Sequence, residues 1–343
     1  MIEGPALESA ETAHRPDRRA LRTTLGLVGL AAEILSGVGV AVHFFGPVST
    51  AVTLLASFSP LFAVTAAVSA ALLVAARFWV GAVAALLVSL VGVAAQLPLY
   101  LGEPAPAAVG APKVRLLQAN IRLGEADAQA LVSRVRSDRV DLLTVAELTG
   151  TAVQRLASAG LVGVLPFSYL RPREGGGGEG IYSRYPLSGT EELPGLQHKN
   201  LRAAVHLPGA EPVALYALHP LPPYPEPAWR WALELDRIGA ILAADRRPLL
   251  VGADFNSTYD HERYRNLLHA GGRDGAALVD AAEFLGSGIV ATYPADSWYP
   301  AVLAIDRILT RGTMPLSFER VGLPGSDHHG VMGDVLLAGS ADR

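Results

Sequence analysis

The chain has no cysteine, which excludes disulfides and thiolate metal sites and leaves the compartment open, since exported proteins need not carry disulfides. Charge is sparse as well. Only 17% of the 343 residues are Asp, Glu, Lys or Arg, and the formal net charge is -4. From Lys113 onward 23 basic residues face 26 acidic ones, so the basic surface usual in a duplex-binding protein is missing. That weighs against nucleic acid as a partner.

Apolar sequence is abundant instead. Half of the residues are hydrophobic and the mean hydropathy is +0.31, too high for a soluble enzyme of this size. Nearly all of the excess lies before residue 101. Three apolar stretches, 23–45, 48–76 and 78–99, each reach the roughly 20 residues that cross a bilayer, and Glu33 is the one charge inside them. Their length and repetition exclude a signal peptide. A bundle of three transmembrane helices over residues 23–100 is therefore expected, after a cytoplasmic tail of residues 1–22. Arg15, Arg18, Arg19 and Arg22 precede the first stretch and Arg77 separates the second from the third, whereas the Gly46-Pro47 break has no basic residue. The positive-inside rule puts these arginines in the cytoplasm, and three spans then put the rest of the chain outside the cell membrane. Within the spans, Glu33 reads either as a functional site or as a protonated residue packed against neighbouring helices, Pro60 as a kink and His43 as interfacial. Residues 101–112, rich in Pro and Ala, read as a linker that leaves the orientation of the following domain unlocked.

Residues 113–340 alternate short apolar runs with helical spacings, without regular βαβ spacing, which predicts an α/β sandwich. Strands are expected at 114–120, 140–146, 181–183, 203–206, 213–218, 248–252, 304–310 and 330–337, and helices at 126–136, 152–159, 229–243 and 264–269. The Gly-rich segment 171–180 reads as a hairpin or excursion; it lacks the Gly-Lys-Ser/Thr of a phosphate-binding P-loop, though Arg171 and Arg173 could meet a phosphate at its edge. The Pro-rich run 221–227, with Trp229 and Arg230, reads as an extended connection that either packs or walls a cleft.

Polar residues recur where strands end. Asn120, Glu147, Asp254, Asn256 and Asp327 offer hard oxygen and amide ligands of the kind Mg2+ prefers, and His219 and His328 can move a proton or steady a phosphoryl oxygen. Singly each has a bland alternative, a turn for Asp254-Phe255-Asn256 and a solvated loop for Ser326-Asp327-His328-His329. Residue chemistry alone reaches a metal-assisted hydrolase and no further.

Motif order adds more. Gln118-Ala119-Asn120-Ile121, Ala146-Glu147-Leu148, the segment 180–187, Ala217-Leu218-His219, Val251-Gly252-Ala253-Asp254-Phe255-Asn256, Thr292-Tyr293-Pro294, Ile305-Asp306-Arg307-Ile308 and Ser326-Asp327-His328 follow one another at the spacing of a known family. Over residues 113–338 the chain resembles the endonuclease/exonuclease/phosphatase superfamily of DNase I-like nucleases, inositol-phosphate phosphatases and neutral sphingomyelinases. The resemblance implies a four-layer α/β sandwich and a phosphoester hydrolase that uses Mg2+, or Mn2+. It implies Asn120, Glu147 and Asp327 at the metal, Asp254 orienting or deprotonating water, Asn256 and His219 on the phosphate, and His328 oriented by Asp306. Ala146 stands where the family often has Gln, and Ala253 where it usually has Gly. No counterpart is evident of the Tyr that AP-endonuclease-type members use near the phosphate.

Membrane anchoring of such a head favours a substrate in the same bilayer. The chain is also similar to membrane-anchored VanJ-like proteins of teicoplanin resistance, which implies a lipid-linked phosphate or pyrophosphate such as undecaprenyl pyrophosphate as the partner. The alternatives are a phospholipid or sphingomyelin phosphodiesterase, an extracellular nuclease, or an inactive lipid- or protein-binding module. A lipid substrate predicts an apolar groove, with Tyr224, Trp229, Trp298 or Tyr299 as its aromatics.

Overall fold

The computed structural model describes residues 18–46, 48–103, 112–269 and 277–337. Arg15, Pro47, most of the 101–112 linker and the end of the 113–340 domain lie outside the described residues. The chain forms two compact units, one built from the chain up to Val40 with Pro60–Gly92, the other from Ala41–Ser59 with the chain from Val93 onward. The short piece Ala41–Ser59, which hydropathy assigns to the membrane region, thus folds with the α/β domain.

The apolar region comprises α1 (Arg18–Phe44), α2 (Thr50–Ala56), α3 (Ser59–Ala75) and α4 (Trp79–Gln96). Arg18–Phe44 and Trp79–Leu99 are long and apolar enough to cross a membrane, whereas α2 and α3 meet at a bend of 69°. Candidate spans therefore number two, or three if the bent pair counts as one, so the expected count of three is reached only with α2 and α3 taken together as one broken span. Pro60 is the cause. It has no N–H, and its ring would collide with the carbonyl of Ala56 one turn earlier, so the helix cannot run through it and a new one opens at Ser59-Pro60. At 1.5 Å per residue the 17 residues of α3 extend about 26 Å, a little short of the hydrocarbon thickness. Inside the first unit small residues let the helices approach. Ser69 Oγ donates to Gly29 O (2.7 Å) and Ser89 Oγ to Ala63 O (2.9 Å). Leu27, Ile34 and Val80 point outward, at 65%, 69% and 79% exposure, as lipid-facing residues do.

The second unit holds two sheets. One runs β11 (Thr313–Pro315), β13 (Gly330–Leu337), β1 (Lys113–Asn120), β2 (Leu142–Ala146), β4 (Glu179–Ser183), β3 (Phe167–Arg171), with β12 (Glu319–Val321) also on β13. The other runs β5 (Leu187–Glu192), β6 (Leu201–Val205), β7 (Val213–Leu218), β8 (Leu249–Asp254), β10 (Asp306–Arg311), β9 (Val279–Asp280). Among the described pairings only β1–β2 and β7–β8 are parallel. Helix α5 (Ala128–Ser137) makes the first crossover and α7 (Ala228–Ala244) the second, as parallel neighbours require.

Alternation along the strands builds the layers. On β1, Val114 and Leu116 enter the core between the sheets, together with Leu142, Leu215, Leu250 and Ile308. Their neighbours Leu117 and Ala119 turn to the other face, under α5 and α6 (Gly150–Ser158). In the second sheet Leu249, Val251 and Ala253 likewise meet Trp231 and Leu235 of α7 and Tyr264 of α8 (Glu262–Leu268). The order helix, sheet, sheet, helix is a four-layer α/β sandwich. The remaining short helix, α9 (Ala281–Phe284), is capped by Asp280, which accepts from Ala282 N at 2.9 Å.

This topology positions the polar residues. Parallel strands β1, β2, β7 and β8 all finish at one edge, and β10 and β13, antiparallel to their neighbours, start there. Asp254 and Asp306 are register partners at the last position of β8 and the first of β10. On the face between the sheets, Asn120 continues the Val114-Leu116 row, Asp254 the Leu250 row, Asp306 the Ile308 row and Glu179 the Ile181 row. Where the apolar rows run out, these polar side chains converge.

Candidate active site

Asn120 is the hub. Fully buried, its Nδ2 donates to Glu147 Oε1 (3.1 Å) and to Asp254 Oδ2 (3.0 Å), while its Oδ1 accepts from Arg122 N (2.9 Å). Glu147 follows β2 directly, in a left-handed conformation (φ 61°) that turns the chain, and its Oε2 accepts from Leu123 N at 2.6 Å. Asn256 is left-handed too (φ 49°), its N–H donating to Asp254 Oδ1 (2.9 Å) and its Nδ2 to Pro220 O (3.1 Å). Two non-glycine residues held in this region mark a site where strain is kept for a reason.

Asp254 stands between two imidazoles, 3.7 Å from His219 Nε2 and 3.8 Å from His328 Nε2. His328 Nδ1 donates to Asp306 Oδ2 at 2.9 Å. Burial works against a charge on His328, but the carboxylates of Asp306 and Asp254 prevail and hold it protonated, its pKa pushed up to about 10. Ser326 ties this loop to β1, its Oγ accepting from His328 N (3.0 Å) and donating to Asn120 O (2.8 Å). Asp327 lines the same cleft, and burial raises its pKa above the usual carboxylate value.

All eight residues singled out in the sequence are thus brought together. Glu147, His219, Asp254, Asn256, Asp327 and His328 line one cleft of about 540 Å3, Asn120 bridges two of them, and Asp306 backs His328. The Pro-rich run forms a wall through Leu221, Pro222, Pro223 and Tyr224, joined by Leu54 of α2 and by Ile305. Trp229, Arg230, Trp298 and Tyr299 do not line it. The Gly-rich segment is the turn of a β3–β4 hairpin, and Gly175 and Gly176 reach the cleft.

Two participants, Glu179 and His198, escaped the sequence reading, and a third, Tyr293, stands in it only within a motif and with no role. Glu179 is 1% exposed, and burial, with the charges of Asp254 and Glu147 behind it, raises its pKa far above the carboxylate range. His198 donates from Nδ1 to His219 O (3.1 Å), and burial together with His219 depresses its pKa to about 4, so it is neutral. Tyr293 lines the cleft with its ring 4.9 Å from that of His328. Glu179 was legible through the alternation Glu179-Ile181-Ser183, whereas His198 sits in a loop with no periodic signal.

The donor set fits a divalent cation. Glu147, Asp254 and Asp327, backed by Asp306 and Glu179, converge with the protonated His328 as the cationic partner found for them, and buried Glu179 Oε1 and Asp306 Oδ1 have no hydrogen-bond partner. Hard oxygens in such excess call for a hard cation. Asp254, Asp306 and His328 place three ligand-type atoms within 4.8 Å. There, however, His328 and Asp306 already hold a proton between them, which an ion would have to displace. Glu147 and Asp327 offer carboxylate oxygens without that cost, whereas Asn120, whose Nδ2 faces Glu147 and Asp254 and whose Oδ1 accepts from Arg122 N, would have to turn its amide over to join them as an oxygen ligand. An ion among them would supply charge neutralisation to phosphoryl oxygens. The protein groups do the rest: Asp254 can accept a proton from water, and His219, Asn256 and protonated His328 can donate to phosphoryl or leaving oxygens.

The Endonuclease/Exonuclease/phosphatase family matches residues 117–328, a stretch that begins just before Asn120 and ends on His328. The chain belongs to that family. Solved structures agree on the fold. D. rerio TDP2, crystallised with a single-strand DNA product, is 19% identical and superposes with a TM-score of 0.52 over 65% of this chain and 98% of its own. A functionally unknown conserved protein from Enterococcus faecalis V583 is 14% identical, with a TM-score of 0.51 over 66% of this chain and 100% of its own. A Bacteroides vulgatus endonuclease/exonuclease/phosphatase is 16% identical, TM-score 0.50, covering 66% and 100%. No curated protein matches. As a member of the endonuclease/exonuclease/phosphatase family with a cation-ready carboxylate cluster, the chain is a metal-dependent phosphoesterase with two or three apolar helices long enough to span a membrane.

Proposed function

We propose that this family member hydrolyses a phosphodiester or pyrophosphate bond carried by a membrane lipid. Mg2+ or Mn2+ would sit at Glu147, Asn120 and Asp327, and the catalytic domain on the outer face of the cell membrane. One observation carries the reading: the cleft that holds Glu147, Asp254 and His328 is walled by Leu54 and Leu221–Tyr224. Leu54 belongs to α2, in the short segment that joins the apolar helices α1 and α3 in sequence. A phosphate at the polar floor would have its apolar chain alongside the wall.

Two lipid classes suit the cleft. A phospholipid or sphingomyelin presents a diester at headgroup depth; undecaprenyl pyrophosphate presents two phosphates on a long apolar chain, and its turnover would serve cell-wall lipid recycling and glycopeptide resistance. Nucleic acid fits less well, because the wall is apolar and Glu226 on it is acidic.

The test uses the purified full chain in detergent with Mg2+, with Mn2+ and with a chelator. It is offered sphingomyelin, phosphatidylcholine, undecaprenyl pyrophosphate and single- and double-stranded DNA, beside Asp254→Ala. Metal-dependent release of phosphate or a phosphorylated headgroup, lost in the variant by ~10³-fold or more, is expected. Cleavage of DNA with every lipid inert would overturn the lipid reading.

A further inference from the structure

Between β8 and α8 the chain turns through residues 255–261, and the two buried polar side chains at the far side of that turn, Asp260 and His261, are bonded by residues of the piece Ala41–Ser59 and by Gln96. Asp260, 3% exposed, accepts on one oxygen from His43 Nδ1 (2.8 Å) and from Gln96 Nε2 (2.7 Å). His261 Nδ1 accepts from Thr258 N (3.0 Å), which leaves the proton on Nε2 to be donated to Thr53 O (2.9 Å). Burial lowers the pKa of His261, in keeping with that neutral tautomer. Arg265 donates to Tyr259 O (2.6 Å) and also to His43 O, and Glu262 accepts from Gly46 N (3.0 Å).

We propose that Ala41–Ser59 and Gln96 form a positioning element of the active site, which acts through Asp260 and His261 to hold Asn256 and Asp254 in place. The proposal takes its activity readout from the hydrolase reading above, but its structural readout is independent of it. Near its start the turn holds Asn256, whose left-handed backbone (φ 49°) and bond to Pro220 O aim its amide into the cleft. Only Ser257, Thr258 and Tyr259 separate Asn256 from the Asp260 anchor. Leu54 and Ser57, from the same piece that fixes Asp260 and His261, line the cleft beside Asp254. A buried carboxylate with two donors on helix ends, and a buried imidazole with one donor and one acceptor, tolerate a single arrangement, because any other leaves a polar group unpaired. The catalytic turn is thereby built against the segment that links the apolar helices.

The test uses the full chain in detergent with Mg2+ and a soluble diester, bis-p-nitrophenyl phosphate. His43→Ala and Asp260→Asn are expected to lower kcat about tenfold or more with KM within threefold, at a temperature where melting curves show them folded. His43→Asn, whose Nδ2 can stand in for Nδ1, is expected to stay within threefold of the parent. Hydrogen exchange supplies the second readout: the peptide covering 255–262 should exchange at least tenfold faster in His43→Ala, with β7 and β8 unchanged. Unaltered kcat in folded His43→Ala and Asp260→Asn, or unaltered exchange in 255–262, overturns the proposal. Should His43→Ala or Asp260→Asn fail to fold, Gln96→Ala takes its place, with the same fall in kcat and the same faster exchange in 255–262 expected, and His43→Asn remains the conservative control. If the parent protein hydrolyses no phosphate ester, the hydrolase reading fails, and exchange alone decides the positioning.

Discussion

Gly252 is the residue whose replacement tests the geometry most directly. It lies on the inner face of β8, two residues before Asp254, and faces β2 across the gap between the sheets. A Cβ added there would stand 2.2 Å from Thr144 Oγ1 and 3.2 Å from Thr144 Cβ and Cγ2. Relief requires about 1 Å of separation between sheets that pack closely over this row. Rotating Thr144 does not help, since a β-branched side chain swings its methyl into the space its hydroxyl leaves. Gly252→Ala should therefore cost about 1–3 kcal/mol through overpacking, or about 3–10 °C of melting temperature for a domain of this size. A displacement near 1 Å carried to Asp254 would slow turnover by up to ~10²-fold. Thr144→Ala removes Oγ1 and Cγ2 and leaves only the 3.2 Å contact, and Thr144 Oγ1 is buried without a hydrogen-bond partner, so no bond is lost with it. The double variant should recover most of the loss, with a coupling of about 1–2 kcal/mol in a double-mutant cycle. The assay is thermal melting in detergent together with metal-dependent phosphate ester turnover for all four proteins. A Gly252→Ala melting point within about 1 °C of the parent, or a double variant no better than the sum of its parts, would refute the packing.

Asp245 accepts from Tyr216 Oη (2.7 Å) and from Arg247 Nε (2.9 Å), and although burial opposes its charge, these partners bring its pKa down to about 2. A carboxylate depressed on folding stabilises the protein above its unfolded pKa and loses that contribution as pH falls through the folded value, so Asp245→Asn should cost about 1–2 kcal/mol at pH 7 after allowance for solvent screening. Melting points of parent and variant should converge as pH approaches about 2, and a gap that stays constant with pH would contradict this. Asp280 accepts from Tyr264 Oη (2.7 Å) and Arg307 Nη1 (3.2 Å), both buried, so Asp280→Ala should destabilise by about 3–5 kcal/mol by stranding a guanidinium, and a melting curve close to the parent's would exclude that role.

Much of the site could be read in advance because chemistry sits where strands end. Asn120, Glu147, His219 and Asp254 each close a strand or follow it by one residue, and apolar runs of five or six residues announce such ends. Strands β7 and β13 fall where the pattern placed them, since both are buried over most of their length, β7 reading as a continuous apolar run and β13 as one interrupted by Asp334. Edge strands escaped notice for the opposite reason: β5 (Leu187–Glu192) is largely exposed and polar, and β9 is two residues long. Hydropathy averaged over a window runs through Ser57-Phe58-Ser59-Pro60, because one proline changes backbone geometry without changing mean apolarity; the proline itself announced the kink, which is a bend of 69°. The attachment of Ala41–Ser59 to the α/β domain rests on hydrogen bonds between residues more than 150 positions apart, such as His43 with Asp260, and no local pattern encodes those.

The antiparallel pairing of β13 with β1 has a practical corollary. Lys113 pairs with Leu336 and Gln118 with Val331, so the last described residues lie at the strand ends opposite the chemistry. Seven residue steps of about 3.3 Å separate Lys113 from Asn120, which puts Leu337 roughly 23 Å from the polar cluster. A fluorophore or surface tether grafted beyond Leu337 would leave the cleft unobstructed. An immobilised preparation held that way would present its substrate entrance away from the support.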